Sequence, residues 1–161
     1  SIGTNIGDRE RNIENAVKAL GEIGKVGAVS PIYTSEPWGF ESENGFYNIA
    51  LILESELSPL DLLRETQRIE KELGRTAKTT TEYADRVIDI DIIDYDGQII
   101  TISQQSTVNS LLTLPHPLMH LRNFVLYPLA DIAPEWKHPI LKLTAQELKE
   151  RSEDKSIPNK K

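Results

Sequence analysis

The sequence predicts an α+β fold, a sheet with helices packed on it. Three observations lead there. Helical amphipathic stretches alternate irregularly with short β-branched runs, no repeat or linker interrupts them, and 161 residues suit one domain with a real core rather than two. That domain is expected to span residues 1–151, with "SEDKSIPNKK" (152–161) as a disordered tail. The 39% hydrophobic and 27% charged content is that of a globular chain. It holds neither a signal-peptide pattern nor an apolar run of bilayer length, so no membrane association is expected. The absence of cysteine excludes thiol chemistry and fits a cytoplasmic protein, here expected to be a monomer. A net charge of -7 argues against nucleic acid held on a basic face, although Arg68 to Lys78 is locally basic.

Taken in order, Ser1-Ile2-Gly3 looks like the end of a strand. Asp8 is a fitting N-cap for a helix that turns Ile13, Ala16, Val17 and Leu20 to one side. Val26 to Tyr33 suits a strand placed partly at an edge by Pro31, and Phe46 to Glu54 suits another. Between them lies the turn-rich "SEPWGFESENG". Ser58, Pro59 and Asp61 form the clearest helix start, with Leu62, Thr66, Ile69 and Leu73 as the inward stripe and Gly74 as the stop. A polar loop, "RTAKTTTEYAD", leads into "ADRVIDIDIID", expected as a central strand. Asp96-Gly97 predicts a hairpin turn before Gln98 to Thr101.

The strand "ADRVIDIDIID" raises a chemical question. Val87, Ile88, Ile90, Ile92 and Ile93 belong in a sheet, yet Asp89 and Asp91 interrupt them. Side chains two apart on a strand share a face roughly 7 Å apart, so the carboxylates repel each other unless something offsets their charge. A pair of Mg²⁺ ions would do so, since hard oxygen ligands suit that metal. Pairing with arginines on a solvated face would do so too, and for D-x-D alone that is the better reading. Arg75, Lys78 and Arg86 nearby shift the balance, because phosphate handling needs metal on some oxygens and guanidinium forks on others. No P-loop is present: Gly24-Lys25 is followed by Val26. His116 and His120 have i, i+4 spacing, but Pro117 intervenes and a third soft ligand is not evident, which argues against zinc. His116 reads equally as a phosphate contact or as a loop-packing residue.

Four stretches, in order and spanning nearly the whole chain, resemble the 6-hydroxymethyl-7,8-dihydropterin pyrophosphokinase family of folate biosynthesis. They are "GTNIGD", "YTSEPWG…FYNIAL", "QRIEKELGR…DRVIDIDI" and "LPHPLMHLRNFVLYPLADIAP". The resemblance implies a ferredoxin-like α/β/α sandwich with a mostly antiparallel sheet. It also implies transfer of a pyrophosphoryl group from ATP to the pterin's hydroxymethyl oxygen, with release of AMP. By the same resemblance Asp89 and Asp91 hold two Mg²⁺ ions, and Arg75, Arg86, His116, Arg122 and, on loop closure, Lys78 meet the phosphates. Gln67, Glu70, Ile92 and Thr113 fall on the nucleotide side. Phe46 and Phe124 would sandwich the pterin, Asn48 would bond its edge, and Ser35, Glu36 and Trp38 would add loop contacts. Tyr83 is expected to act as a lid. A flat heterocycle does need stacking faces and a few directed polar groups, and Phe46 and Asn48 share one strand face.

The chain departs from the family pattern at Asp85, where a Pro usually precedes the signature Arg, and at Tyr83, where Trp is common. Ala77 and Leu111 stand where arginine is frequent. Two other classes compete with the enzyme: a non-catalytic ligand-binding domain whose aspartates only pair with Arg86, and a small RNA-binding module, disfavoured by the acidic balance.

Overall fold

The computed structural model describes residues 1–75, 84–103 and 111–161. Lys78, Ala77 and Tyr83 lie outside them.

The first strand, β1 (Ile2–Thr4), leads into α1 (Arg9–Ile23), whose start is fixed by Asp8 accepting a hydrogen bond from the Arg11 N–H. Next come β2 (Lys25–Val29), β3 (Tyr33–Ser35), β4 (Phe46–Ile49) and β5 (Leu51–Glu54). The two long strands read from the sequence are thus each divided in two. The break falls at Pro31, which has no N–H to continue the ladder. Ser30 bridges the gap instead, its N–H donating to Ala50 O at 2.9 Å and its hydroxyl accepting from Ala50 N–H at 3.0 Å. Beyond the break, among the described residues, β2 and β5 pair only with each other.

Helix α2 (Pro59–Glu72) begins as predicted, with Ser58 accepting from the Asp61 N–H and Leu62, Thr66 and Ile69 buried. Gly74 takes φ +101, a conformation glycine adopts freely, and lets the Arg75 N–H turn back to Glu70 O at 3.0 Å. Strand β6 is only Asp89–Ile90, far shorter than the run of isoleucines implied. The Asp91 N–H extends its pairing to Ser1 O at 2.9 Å. The Asp96-Gly97 turn forms, with both residues at positive φ and the Gln98 N–H bonded to Tyr95 O. It does not close the expected hairpin, because β7 (Ile100–Ser103) pairs instead with β8 (Leu111–Leu114). The chain ends with α3 (Asn123–Ile132), α4 (Ala145–Glu150) and β9 (Asn159–Lys160).

Five strands form one antiparallel sheet in the order β6-β1-β4-β3-β9. Directly opposed residues of an antiparallel pair point to one face. The row Ile90, Ile2, Ile49 therefore faces one way and joins Ile13, Ala16, Leu20, Ile69 and Ile88 of the larger core, roofed by α1 and α2. The next row, Asp89, Gly3, Asn48, Tyr33, faces the other way, toward α3. A smaller core of Met119, Val125, Leu126 and Leu148 lies on that side. Helices on both faces of a mostly antiparallel sheet give the α/β/α sandwich that the family resemblance implies.

The segment expected to be disordered is anchored instead. Strand β9 pairs with β3, the Asn123 side chain donates to Asp154 O and Ser156 O, and Pro158 is buried. Polar composition misled here because these contacts satisfy backbone groups rather than bury large side chains. Among the described residues no helix is long and apolar enough to cross a membrane.

Candidate active site

Asp89, Gly3 and Asn48 of the row facing α3 form the floor of a cleft. Its middle position is Gly3, flanked by Asp89 on one side and Asn48 on the other. A Cβ there would stand 3.1 Å from Asn48 Oδ1 and 3.8 Å from the Phe46 ring, so the glycine keeps the floor open.

Asp89 and Asp91 both line the cleft, as their two-residue spacing requires. Asp89 is held by two arginines from opposite ends of the loop that separates them in sequence. Arg75 Nη1 lies 2.5 Å from Oδ1 and Arg86 Nη1 2.6 Å from Oδ2. Helix α2 supplies the first arginine through its glycine stop, which places Arg75 beside Glu70, 2.7 Å away. Burial works against the Arg75 charge, but Asp89 and Glu70 outweigh it and hold its pKa above the ordinary value. Glu70, only 4% exposed, also accepts from the Ile90 N–H at 2.7 Å. Expected on the nucleotide side, it is built into the scaffold that sets Arg75 and β6. Gln67, one helical turn earlier, is half-buried.

The opposite wall is aromatic. Phe46 and Asn48 of β4 reach it from one strand face, as predicted. Asn48 is 2% exposed, and its Nδ2 donates to Ser35 Oγ at 2.8 Å, which turns Oδ1 toward Gly3. Phe124, at the start of α3, meets Trp38 edge to face at 6.5 Å, and Phe46 meets Phe40 likewise at 6.1 Å. Glu36 lies on the rim. Arg122, expected at the phosphates, is 5% exposed, its guanidinium 4.7 Å from the Trp38 ring centre and 5.6 Å from that of Phe124. It lines the cleft from the aromatic side, where cation–π contact holds it.

Other expected residues stand further off. Thr113 is in β8 opposite Thr101, and Ile92 lines a neighbouring cavity with Leu53, Leu62 and Trp136. His116 follows a cis Leu114-Pro115 bond, and its N–H binds Ile93 O at 2.8 Å. Burial pushes its imidazole below the ordinary value, although Asp91 pulls the other way. Its Nδ1 accepts from the Leu118 N–H at 3.1 Å, so the neutral ring carries its proton on Nε2 as a donor. The sequence reading missed Gly3 and Phe40. Phe40 was visible in the loop "WGF", whereas the role of Gly3 appears only once β1 is seated between β4 and β6.

Among the described residues no three acidic or histidine side chains converge as a metal cage. Protein ligands for a cation in the cleft would be the two aspartates. Their hard oxygens fit Mg²⁺, which binds through one or two carboxylates and leaves its other positions to water and phosphate.

Fold and cleft together define an α+β domain that sets a carboxylate–arginine cluster opposite an aromatic wall with one buried amide. Residues 1–134 match the family model for 7,8-dihydro-6-hydroxymethylpterin-pyrophosphokinase, and the chain belongs to that family. It is similar to 2-amino-4-hydroxy-6-hydroxymethyldihydropteridine pyrophosphokinases. One from Porphyromonas gingivalis is 45% identical over 141 residues, covering 86% of this chain and 91% of the relative. One from Aquifex aeolicus is 36% identical over 148 residues, covering 92% and 87%. It also matches a folic acid synthesis protein of Dictyostelium discoideum, 40% identical over 149 residues, which cover 92% of this chain but 21% of that longer protein.

Proposed function

We propose that this cleft is where the chain carries out the reaction of its family, transfer of pyrophosphate from ATP to 6-hydroxymethyl-7,8-dihydropterin in folate biosynthesis. One observation carries the assignment of the site. Two carboxylates with two arginines and an aromatic pocket with one buried amide face each other across a single glycine on the sheet.

For AMP to leave, the hydroxymethyl oxygen attacks the β-phosphorus and the bond to the α–β bridging oxygen breaks. The pterin must therefore lie with its hydroxymethyl arm toward Asp89 and Asp91 and its ring between Phe46 and Phe124. Asn48 Oδ1, fixed by the bond from Nδ2 to Ser35, accepts from the edge of the ring, and an analogue lacking that donor would be rejected. Trp38 and Glu36 close the pocket on its loop side. Two Mg²⁺ ions held by Asp89 and Asp91 would neutralise charge on the phosphate oxygens. Arg75 and Arg86 turn from Asp89 to the phosphates and keep donors aimed at the charge that develops. Arg122 reaches the same oxygens from the aromatic side, and His116 donates from Nε2. Gln67, Thr113 and Ile92 serve the nucleoside, and Lys78 and Tyr83 act on closure of their loop.

ATP as co-substrate follows from the kinase family. A monomer working in the cytoplasm completes the proposal, supported by a composition without cysteine. The decisive assay is release of AMP from ATP that depends on added hydroxymethyl-dihydropterin and on Mg²⁺. Release that ignores the pterin would reject the reading.

A further inference from the structure

A cluster of side chains outside the reaction joins the two walls of the cleft. Asp85 immediately precedes Arg86 and points away from the phosphate side. Its Oδ1 accepts from Asn5 Nδ2 at 2.7 Å and its Oδ2 from Asn44 Nδ2 at 3.1 Å. Asn5, 3% exposed, uses the same Nδ2 to reach Asn44 O at 3.2 Å, while its Oδ1 accepts from the Arg86 N–H at 2.7 Å. Its backbone N–H closes the ring on Arg86 O at 3.1 Å. Ser42 hydrogen-bonds Asp85 and accepts from the Asn44 N–H. The loop from Glu36 to Gly45, which carries Trp38 and Phe40, is thereby tied to the backbone of a phosphate-side arginine.

We infer that Asp85 is a positioning residue: it clasps the pterin-side loop to Arg86, so that both walls stand in register before either substrate arrives. The inference rests on the functional reading given above. A carboxylate suits the task because it is acceptor-only, with room for several donors, and its charge strengthens each bond. Arg9 holds the far end of the loop by donating to Gly45 O at 2.7 Å, which leaves residues 42–44 as the part governed by Asp85.

The consequence is a split between binding and turnover. Without the clasp, ordering the loop is charged against pterin binding, while the bound complex remains the same. Asp85→Ala should raise the pterin KM about tenfold, roughly the worth of one charged hydrogen bond, and leave kcat within about threefold. The affinity for a non-hydrolysable ATP analogue should not change, and amide exchange at residues 41–45 of the free protein should accelerate. Asp85→Asn, which keeps an acceptor for Asn5, should fall between. An unchanged KM together with unchanged exchange would overturn the inference. So would equal losses of ATP affinity, pterin affinity and Tm, the pattern of general damage. Should Asp85→Ala fail to fold, the double variant Ser42→Ala/Asn44→Ala removes the loop side chains that bond Asp85, and a normal pterin KM there is equally fatal. If the wild type releases no AMP with the pterin, the functional reading is what has failed. Loop exchange in the same variants then still decides whether the clasp holds the loop.

Discussion

On the phosphate side of the cleft Asp89 is gripped on both oxygens by arginines, whereas on the heterocycle side Phe46, Asn48 and Phe124 are set by strand register and helix packing. The first wall is a set of charges that satisfy one another and that, in the proposed reaction, exchange partners when phosphates and cations arrive. The second is ready as it stands, since Asn48 spends only its donor on Ser35 and keeps an acceptor for a ligand. Preorganisation can thus differ between two halves of one site. Shape is cheap to hold ready, but charge needs a resident partner to be held at all.

The largest expected effect comes from breaking the charged wall. Asp89→Asn should lower turnover by about 100-fold or more, and it should also lower Tm, because Arg75 and Arg86 lose the carboxylate between them. Sequence alone suggests the opposite sign for stability, through relief of repulsion between two aspartates. Asp91→Asn, whose part in the sheet is its backbone N–H, should lose turnover and keep its Tm. Thermal unfolding of both variants without Mg²⁺ separates the cases, and a stabilised Asp89→Asn would show that the ion pairs do not support the fold. Arg86→Ala comes next, with a turnover loss of roughly 100-fold, the scale of one preorganised donor. Single-turnover kinetics at saturating substrates would expose it.

The aromatic wall should respond through affinity instead. Asn48→Ala should weaken pterin binding about tenfold with little effect on ATP, since a directed hydrogen bond is lost on one side only. Gly3→Ala crowds Asn48 Oδ1 from the floor and should produce a milder version of the same defect. Calorimetric titrations with each ligand in turn would detect the split, and equal weakening of both ligands would erase the distinction between the walls.

The smallest effect probes the scaffold behind the aromatic side. His138 is 4% exposed, and its Nδ1 accepts from the N–H groups of Ile140 and Leu141 at 3.2 and 3.1 Å. Burial and the nearby His120 hold its pKa below the ordinary 6.5, with Asp94 opposing them. Protonation would cost both backbone bonds. The folded state therefore favours the neutral ring: its contribution is complete above pH 6.5 and is lost as the pH falls through 6.5 toward the lower folded value. Denaturant titrations between neutral and mildly acidic pH should show stability falling. His138→Asn, which retains an acceptor without the titration, should flatten that slope.

Local patterns carried much of the architecture. The caps at Asp8 and Ser58, the stripe of α2 and the shared face of Asp89 and Asp91 all depend on neighbours within a turn or two of chain, and all could be read from sequence. What escaped depends on distant partners. The value of Gly3 comes from strands 45 and 86 residues away, which meet it at Asn48 and Asp89. Strand β6 shrank to two residues although its isoleucines suit a longer one, since after Asp91 the chain turns to meet the segment near His116. Arg122 was assigned by motif to phosphate, while its stacking on Trp38 needed a loop 84 residues earlier to fold over it.

Strand β9 carries the folded domain past the residues that the family match covers. Residues 1–134 carry the match, and a shortened protein cut there would lose α4 and β9. The edge of β3 that β9 now covers, including Ile32 O, which accepts from the Lys161 N–H, would face solvent as an adhesive ribbon, open to the same ribbon on another copy. Asn123 would also lose its ties to Asp154 and Ser156, one residue before Phe124 of the aromatic wall. A minimal version chosen by homology alone would thus risk both clumping in solution and a loosened aromatic wall, from the loss of a segment that does not line the cleft.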